Sequence, residues 1–537
     1  MPRPRHAWIL DAPRDLLLLV ATPVLILPLL ALARASWSDT AIAGVVLAFG
    51  ATGHQLPGLL RAYGDRDLFE RFRARFIFGP VLLFIVCLFF YTFHFQGMIA
   101  MVTAWGTWHA LAQVYGFGRI YDAKVGAFDP RTAQLDKALC IAWFVLPLIV
   151  SPWRLLGLFE DAYISGLPVV SAANLAAFQS GWWAATGVVT LLWLANFAKR
   201  LVRGEPANPV KAALFLSSIA FWYYAISTAS HAIVGLAMFE LFHDAQYLTI
   251  VWLYNRKRAE QPGAQLSRVL RSLFGPGIAL VGLYVAGVLA FGGLDFLRQR
   301  LPTGELVPVL SALFAMSSFL HYYFDSFIWS LRDPSTRAGL AVDAAVASSG
   351  QSVRAWLPQL GNWAWFAVPL GVLVAGQVVT PRAPLAMREA VTQSLPNDSI
   401  AWLALGELQR EFERPSEAVP SVQRGLRIDP DSAPGWGLLA ELGSELGRPQ
   451  LERSALERLI TLRPETAAPR LRLAINLERA GEHTRAREEL QRAQALDPNG
   501  TADLLPSFQR AIDGFYQPGS ARGRRVRSSR SAEPPAG

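Results

Sequence analysis

The apolar positions of this chain gather into long runs between Leu16 and about Val379, and the pattern changes at Arg382. Beyond that point Glu and Arg recur at helical spacing between shorter apolar stripes, as in soluble amphipathic helices. A helix needs about 20 mostly apolar residues to cross a bilayer. On that measure eleven spans are expected: 16–33, 41–60, 77–95, 97–117, 137–152, 182–198, 210–228, 231–254, 274–292, 305–330 and 363–379. The segment 153–181 is expected to be irregular. The expected fold class is therefore all-α, with a polytopic transmembrane helix bundle over 1–380, a helical solenoid over 381–516 and a basic, disordered tail over 517–537.

Loop charge orients this arrangement. Arg61, Arg66, Arg71, Arg73 and Arg75 follow the second span, and Arg119, Lys124, Arg131 and Lys137 follow the fourth. Lys199, Arg200, Arg203 and Lys211 follow the sixth, and Arg256, Lys257, Arg258, Arg268 and Arg271 the eighth. Basic loops stay on the cytoplasmic side, so the N-terminus is expected in the cytoplasm. An odd number of spans then puts the C-terminal domain outside, on the periplasmic face of a bacterial inner membrane. The opening (Arg3 and Arg5, then Leu16–Ala33, then Ala33-Arg34-Ala35) has the form of a signal peptide, but its apolar stretch is long enough to serve as an uncleaved first helix.

Composition agrees with a membrane protein. The 537 residues are 52% hydrophobic with 31 Phe and 17 Trp, above the about 45–50% apolar content usual in soluble proteins. The net charge of +9 is carried by the loops and by the run Arg522–Arg530, so nucleic acid is not expected as a partner. The only cysteines, Cys87 and Cys140, fall in expected spans, which leaves the soluble part without a disulfide or thiol metal site.

Four histidines lie within these apolar stretches: His54 beside Gln55, His109 with Gln113, His243 beside Asp244 with Gln246, and His321 with Asp325. An ionisable residue in a bilayer costs roughly 2.5–3.5 kcal/mol on insertion scales and usually serves a function. All four lie past the midpoint of spans that run from outside to inside, hence at one level in the cytoplasmic half of the bilayer. His321 and Asp325 are four residues apart and share a helix face, as do His109 and Gln113. Neutral imidazole is the commonest protein metal ligand. His54, His109, His243, Asp244, His321 and Asp325, with Gln113 and Gln246 behind them, are therefore the candidate ligands of non-haem iron, a di-metal centre or zinc, or of haem between two facing histidines. A metal-dependent oxidoreductase or hydroxylase of a lipid-like substrate is the leading expectation. Two others stay open: a scaffold or assembly protein whose histidines only tie helices together, and a proton- or ion-coupled transporter. The tight HxxxH and HxxHH boxes of membrane desaturases are absent.

The C-terminal part repeats every 34 residues. Segments 399–432, 433–466 and 467–500 align without gaps, each carrying a proline near its end: Pro430, Pro464 and Pro498. Trp402 and Trp436 precede Leu405-Gly406 and Leu439-Ala440, while Arg470 precedes Leu473-Ala474; Ala418 and Ala486 mark the second helices, and Gly447 and Gly481 the turns. This resembles the tetratricopeptide repeat, W-x2-L-G, then A, then P. The pattern departs at Glu452 (for Ala), Arg470 (for Trp) and Arg414 (for Gly). Pro396 implies a preceding half-repeat, 382–395, and residues 501–516 an end cap. The resemblance implies stacked helix hairpins with a groove for a protein or peptide partner.

Overall fold

The computed structural model describes residues 7–95, 98–227, 232–301, 304, 306–329, 334–340, 357–380 and 383–498. The expected cap, the basic tail and His231 lie outside them. Among the described residues the regular elements are helices; an isolated bridge joins Asp65 and Leu266. The chain forms two compact units, Met1–Ala383 and Pro384–Gly537.

In the first unit, six described helices are long and apolar enough to cross a membrane: Asp39–Gly64, Arg73–Thr92, Pro130–Val150, Pro209–Ser227, Ile278–Arg298 and Leu306–Ile328. Ala12–Val20 and Thr22–Arg34 make a seventh if the pair, bent by 51°, is one span. The bend has a local cause. Pro23 in the first turn of the second segment supplies no backbone donor, and the turn before it, Leu16–Val20, is π-wound. The sequence count of eleven is higher because it also includes Ala172–Val202 and Leu357–Val379, and the long helices of the histidine cluster, Met98–Val125 and Ala232–Glu260. Their polar side chains, among them His109, Gln113, Glu240 and Asp244, dilute their hydropathy. Within 153–181, expected to be irregular, the chain is helical over Pro152–Ile164 and again from Ala172.

Aromatic side chains fill the interior of this unit. Phe144, Phe215, Phe239 and Phe242 lie in one apolar cluster, and Phe76, Phe319 and Phe324 in another. The outer faces are apolar too: Phe78, Leu191 and Ile278 are all exposed. Apolar surface on that scale requires a lipid or protein covering. At one end of the bundle, Lys211 Nζ lies 2.9 Å from Asp122 and 3.0 Å from Asp136, while Trp193 donates to Asp136 at 2.7 Å and Arg119 to Asp122 at 2.7 Å. This buried network ties four helices together.

The second unit opens with helix Pro384–Ser394, followed by three hairpins. First helices begin at Ser399, Ala433 and Ala467, and second helices at Pro415, Pro449 and His483, a 34-residue period in both. Trp402 Nε1 donates to the Pro396 carbonyl at 3.0 Å and Trp436 Nε1 to that of Pro430 at 2.8 Å. In the third hairpin Arg470 Nη2 reaches the Pro464 carbonyl at 3.2 Å, so an arginine makes the tryptophan's bond to the preceding unit. Glu452, buried where its counterparts are Ala418 and Ala486, accepts from Asn476 at 3.0 Å and Arg472 at 3.5 Å. The turn position equivalent to Gly447 (φ 63°) and Gly481 (φ 81°) is Glu413 (φ 58°), one residue before the Arg414 expected from sequence. At the start of the first hairpin Asp398 caps the helix, accepting from the Ile400 and Ala401 amides, and burial raises its carboxyl pKa.

Candidate metal centre

Four helical segments each deliver one imidazole to a common point. His54 stands at the junction of the π-wound turn Val46–Thr52 and the helix Gln55–Gly64. Such π-turns often mark functional sites, because an extra residue in the turn re-aims the side chains that follow. His109 comes from Met98–Val125, His243 from Ala232–Glu260 and His321 from Leu306–Ile328. All four are buried, and one ring nitrogen from each lies within 4.8 Å of the others. Ring centroids are 4.6 Å apart for His54–His321, 4.5 Å for His109–His321, 5.0 Å for His109–His243 and 5.2 Å for His54–His243.

Glycines permit this closeness. A Cβ on Gly50 would lie 2.5 Å from Asp244 Oδ2, and one on Gly58 would lie 2.6 Å from the Tyr247 hydroxyl and 3.6 Å from His321 Nδ1. The His54 segment can therefore press directly onto the His243 and His321 helices.

Hydrogen bonding leaves part of the cluster unsatisfied. His54 Nε2 and His321 Nε2 are 3.0 Å apart. His54 Nδ1 is aligned with the Gly50 carbonyl at 3.1 Å and also lies 2.7 Å from Asp244 Oδ1, off the ring N–H axis. Neither Asp244 oxygen receives a hydrogen bond, and His109 Nε2 and His321 Nδ1 have no partner. Buried polar atoms are rarely left this way.

The other sequence candidates divide. Asp325 Oδ2 is 3.9 Å from His321 Nδ1, outside the four-histidine group; its Oδ1 instead accepts from Tyr247 at 3.2 Å and from Trp329 at 3.1 Å. Asp244 groups with His54 and Glu240, apart from the other three histidines. Gln113 donates to the His243 carbonyl at 3.1 Å and to Gln246 at 3.2 Å, and Gln246 donates to the Leu19 carbonyl at 2.7 Å. These amides join backbones rather than orient imidazoles. Glu240, Tyr247 and Tyr322 were missed by sequence reasoning. Glu240 was legible, since it precedes His243 and Asp244 by three and four residues and so shares their face. The tyrosines carried no comparable signal; their rings stand 4.9 Å from His321 and His109 respectively.

A cavity of about 580 Å³ reaches the cluster. His109, Tyr247 and Asp325 form part of its wall, Leu111 and Phe117 supply apolar surface, and Arg119 and Lys137 are its basic residues.

No protein-family model matches the chain, and no curated protein matches it in sequence. Two solved structures, "Crystal structure of MamA protein" and "Crystal structure of MamA", share 20% identity each with this chain. They cover 29% and 25% of it and 78% and 82% of their own lengths, with TM-scores of 0.22 and 0.21. A likeness that slight carries no argument, and the 34-residue hairpins stand on their own geometry.

Proposed function

We propose that this chain is a multi-pass membrane protein whose four histidines hold one transition-metal ion used for oxidoreductase or hydroxylase chemistry on a lipid-like substrate.

 The single observation that carries this reading is the convergence of four buried imidazoles with ring nitrogens within 4.8 Å of one another. The donor set fits a metal. At a metal–nitrogen bond of about 2.0–2.1 Å, neighbouring ligands sit about 2.9–3.4 Å apart, and the His54 and His321 nitrogens are 3.0 Å apart. Imidazole with nearby carboxylates suits non-haem iron or zinc. A haem held between two histidines would need facing nitrogens about 4 Å apart, twice the metal–nitrogen bond, and the His54 and His321 nitrogens, 3.0 Å apart, are too close for that.

His54, His109, His243 and His321 would hold the ion, which would supply Lewis-acid or redox chemistry. The Gly50 carbonyl orients the His54 ring from behind, as outer partners of metal-bound histidines commonly do, and the Asp244 carboxylate lies 2.7 Å from the same nitrogen. Asp325, held by Tyr247 and Trp329, faces both His321 and the cavity. The apolar cavity wall excludes water and accepts an apolar chain, and Arg119 and Lys137 favour an anionic or polar end. We place the N-terminus in the cytoplasm with eleven spans, counting the polar-bearing helices of the centre among them. The hairpin domain is then extracytoplasmic, and we read it as a tetratricopeptide-type module that binds a protein or peptide partner.

A second reading rests on the same 3.0 Å contact, which also fits an N–H···N hydrogen bond. The cluster would then be a metal-free knot in a scaffold protein. Metal content of the detergent-purified chain, grown with iron and zinc supplied, separates the two. One ion per chain, lost in each of His109→Ala, His243→Ala and His321→Ala, supports the metal centre. Folded wild-type protein without metal removes it.

A further inference from the structure

A second cavity, also of about 580 Å³, lies outside the histidine centre among the charged residues that follow the second expected span. Its wall includes Arg61, whose side chain is 1% exposed and whose guanidinium lies between two aromatic rings, 3.9 Å from the centroids of Tyr254 and Trp329. The rings cover its faces but leave the in-plane N–H groups to find acceptors. Nη2 donates to the Ile328 carbonyl at 2.9 Å; Nε and Nη1 have no partner. Among the described residues no carboxylate lies within ion-pair distance of it. A guanidinium stays charged at any physiological pH, and a buried charge without a counter-charge is costly.

The other charges around the cavity leave this one uncompensated. Arg258 takes up Asp65 at 3.2 Å and Asp67 at 2.5 Å. Arg66, exposed at the cavity, is a further cation there. The wall thus carries four arginines (Arg61, Arg66, Arg71 and Arg258) against three carboxylates (Asp65, Asp67 and Glu70), with Asp65 and Asp67 both drawn to Arg258 and two donors of the buried Arg61 left open.

We propose that this cavity binds a phosphate group, held by Arg61 from below and Arg66 from the rim. Arginine donors arriving from separate directions suit a tetrahedral oxyanion, and charge-assisted bonds to phosphate are among the stronger ones. Free phosphate and the phosphate of a lipid headgroup share this chemistry. Trp329 connects the site to the histidine centre, because its ring stacks on Arg61 while its Nε1 donates to Asp325 at 3.1 Å. The site does not depend on a metal being bound.

The test uses the full chain in detergent and in nanodiscs, with thermal stability as the readout. Inorganic phosphate is titrated in detergent, and nanodiscs of phosphatidylcholine are compared with nanodiscs containing phosphatidic acid. Wild type is expected to show saturable stabilisation in at least one arm. Arg66→Gln, at an exposed position, should weaken the apparent affinity about tenfold, the worth of one charge-assisted bond, and Arg61→Gln should abolish the effect. Arg203→Gln, at an exposed arginine away from the cavity, should leave it unchanged. Stabilisation by soluble phosphate identifies a free ligand; stabilisation only in phosphatidic acid nanodiscs identifies a lipid headgroup. No stabilisation in either arm, or equal stabilisation of wild type and Arg66→Gln, overturns the proposal, whether or not Arg61→Gln folds.

Discussion

Gly292→Ala tests whether close backbone packing sets the position of His54. Gly292 lies in the helix Ile278–Arg298, against the π-wound segment Val46–Thr52 that leads into His54. A Cβ there would lie 2.4 Å from the Ala48 carbonyl oxygen and 2.6 Å from Phe49 Cα, where ordinary contact begins at 3.4 Å. The two segments must therefore part by about 1 Å. Both opposing atoms are backbone and cannot rotate aside, so the overpacking cost lies towards the upper end of the usual range of about 1–3 kcal/mol. Alanine's better helix propensity returns about 1 kcal/mol. The net loss is about 2 kcal/mol, seen as a lower thermal midpoint of the detergent-purified chain. Gly44→Ala is the control, since a Cβ at Gly44 meets nothing within 4 Å, and it should melt at or above wild type. A Gly292→Ala chain that melts with the control would refute the reasoning.

Other substitutions test the remaining packing and charge arguments. Lys211→Met should cost about 3–5 kcal/mol in thermal or chemical unfolding, because Asp122 and Asp136 lose the buried cation between them; a loss below 1 kcal/mol would mean the network is solvated. Glu413→Gly should stabilise the hairpin unit by about 0.5–1 kcal/mol in hydrogen-exchange protection, since a non-glycine residue now holds φ 58°. The side-chain bond from Arg453 holds the Glu482 carboxyl below its usual pKa. Its contribution is therefore present above the unfolded Glu value of about 4.3 and lost as pH falls. The difference in melting temperature between wild type and Glu482→Gln should shrink on acidification; a constant difference would show that the charge plays no part.

How much of this was legible in the sequence depended on the range of the interaction concerned. The hairpins were, because the 34-residue period repeats local signals: Pro430 and Pro464 at the ends, Trp402 and Trp436 at the starts. What compensates for Glu452 was not, because Asn476 and Arg472 belong to the next hairpin. The four histidines stood out as polar residues in apolar runs, but no spacing within one helix shows which helices meet. Their convergence depends on close approaches such as Gly50 to Asp244 and Gly292 to Ala48, which are tertiary. Asp325 sat at the right spacing from His321 to be read as a ligand, but no spacing showed that its Oδ1 accepts from Tyr247 and Trp329. The same polar residues that mark the centre lowered the hydropathy of Met98–Val125 and Ala232–Glu260 and blurred the count of spans.

The most direct test of the shared metal site is X-ray absorption at the edge of the bound metal in the purified full chain. The account predicts an inner shell of imidazole nitrogens at about 2.0–2.1 Å, with the outer-ring scattering of four histidines. It also predicts that the metal edge and this scattering are lost in His109→Ala protein purified in the same way. A shell of oxygen or sulfur without imidazole scattering, or a wild-type spectrum unchanged by His109→Ala, would contradict it.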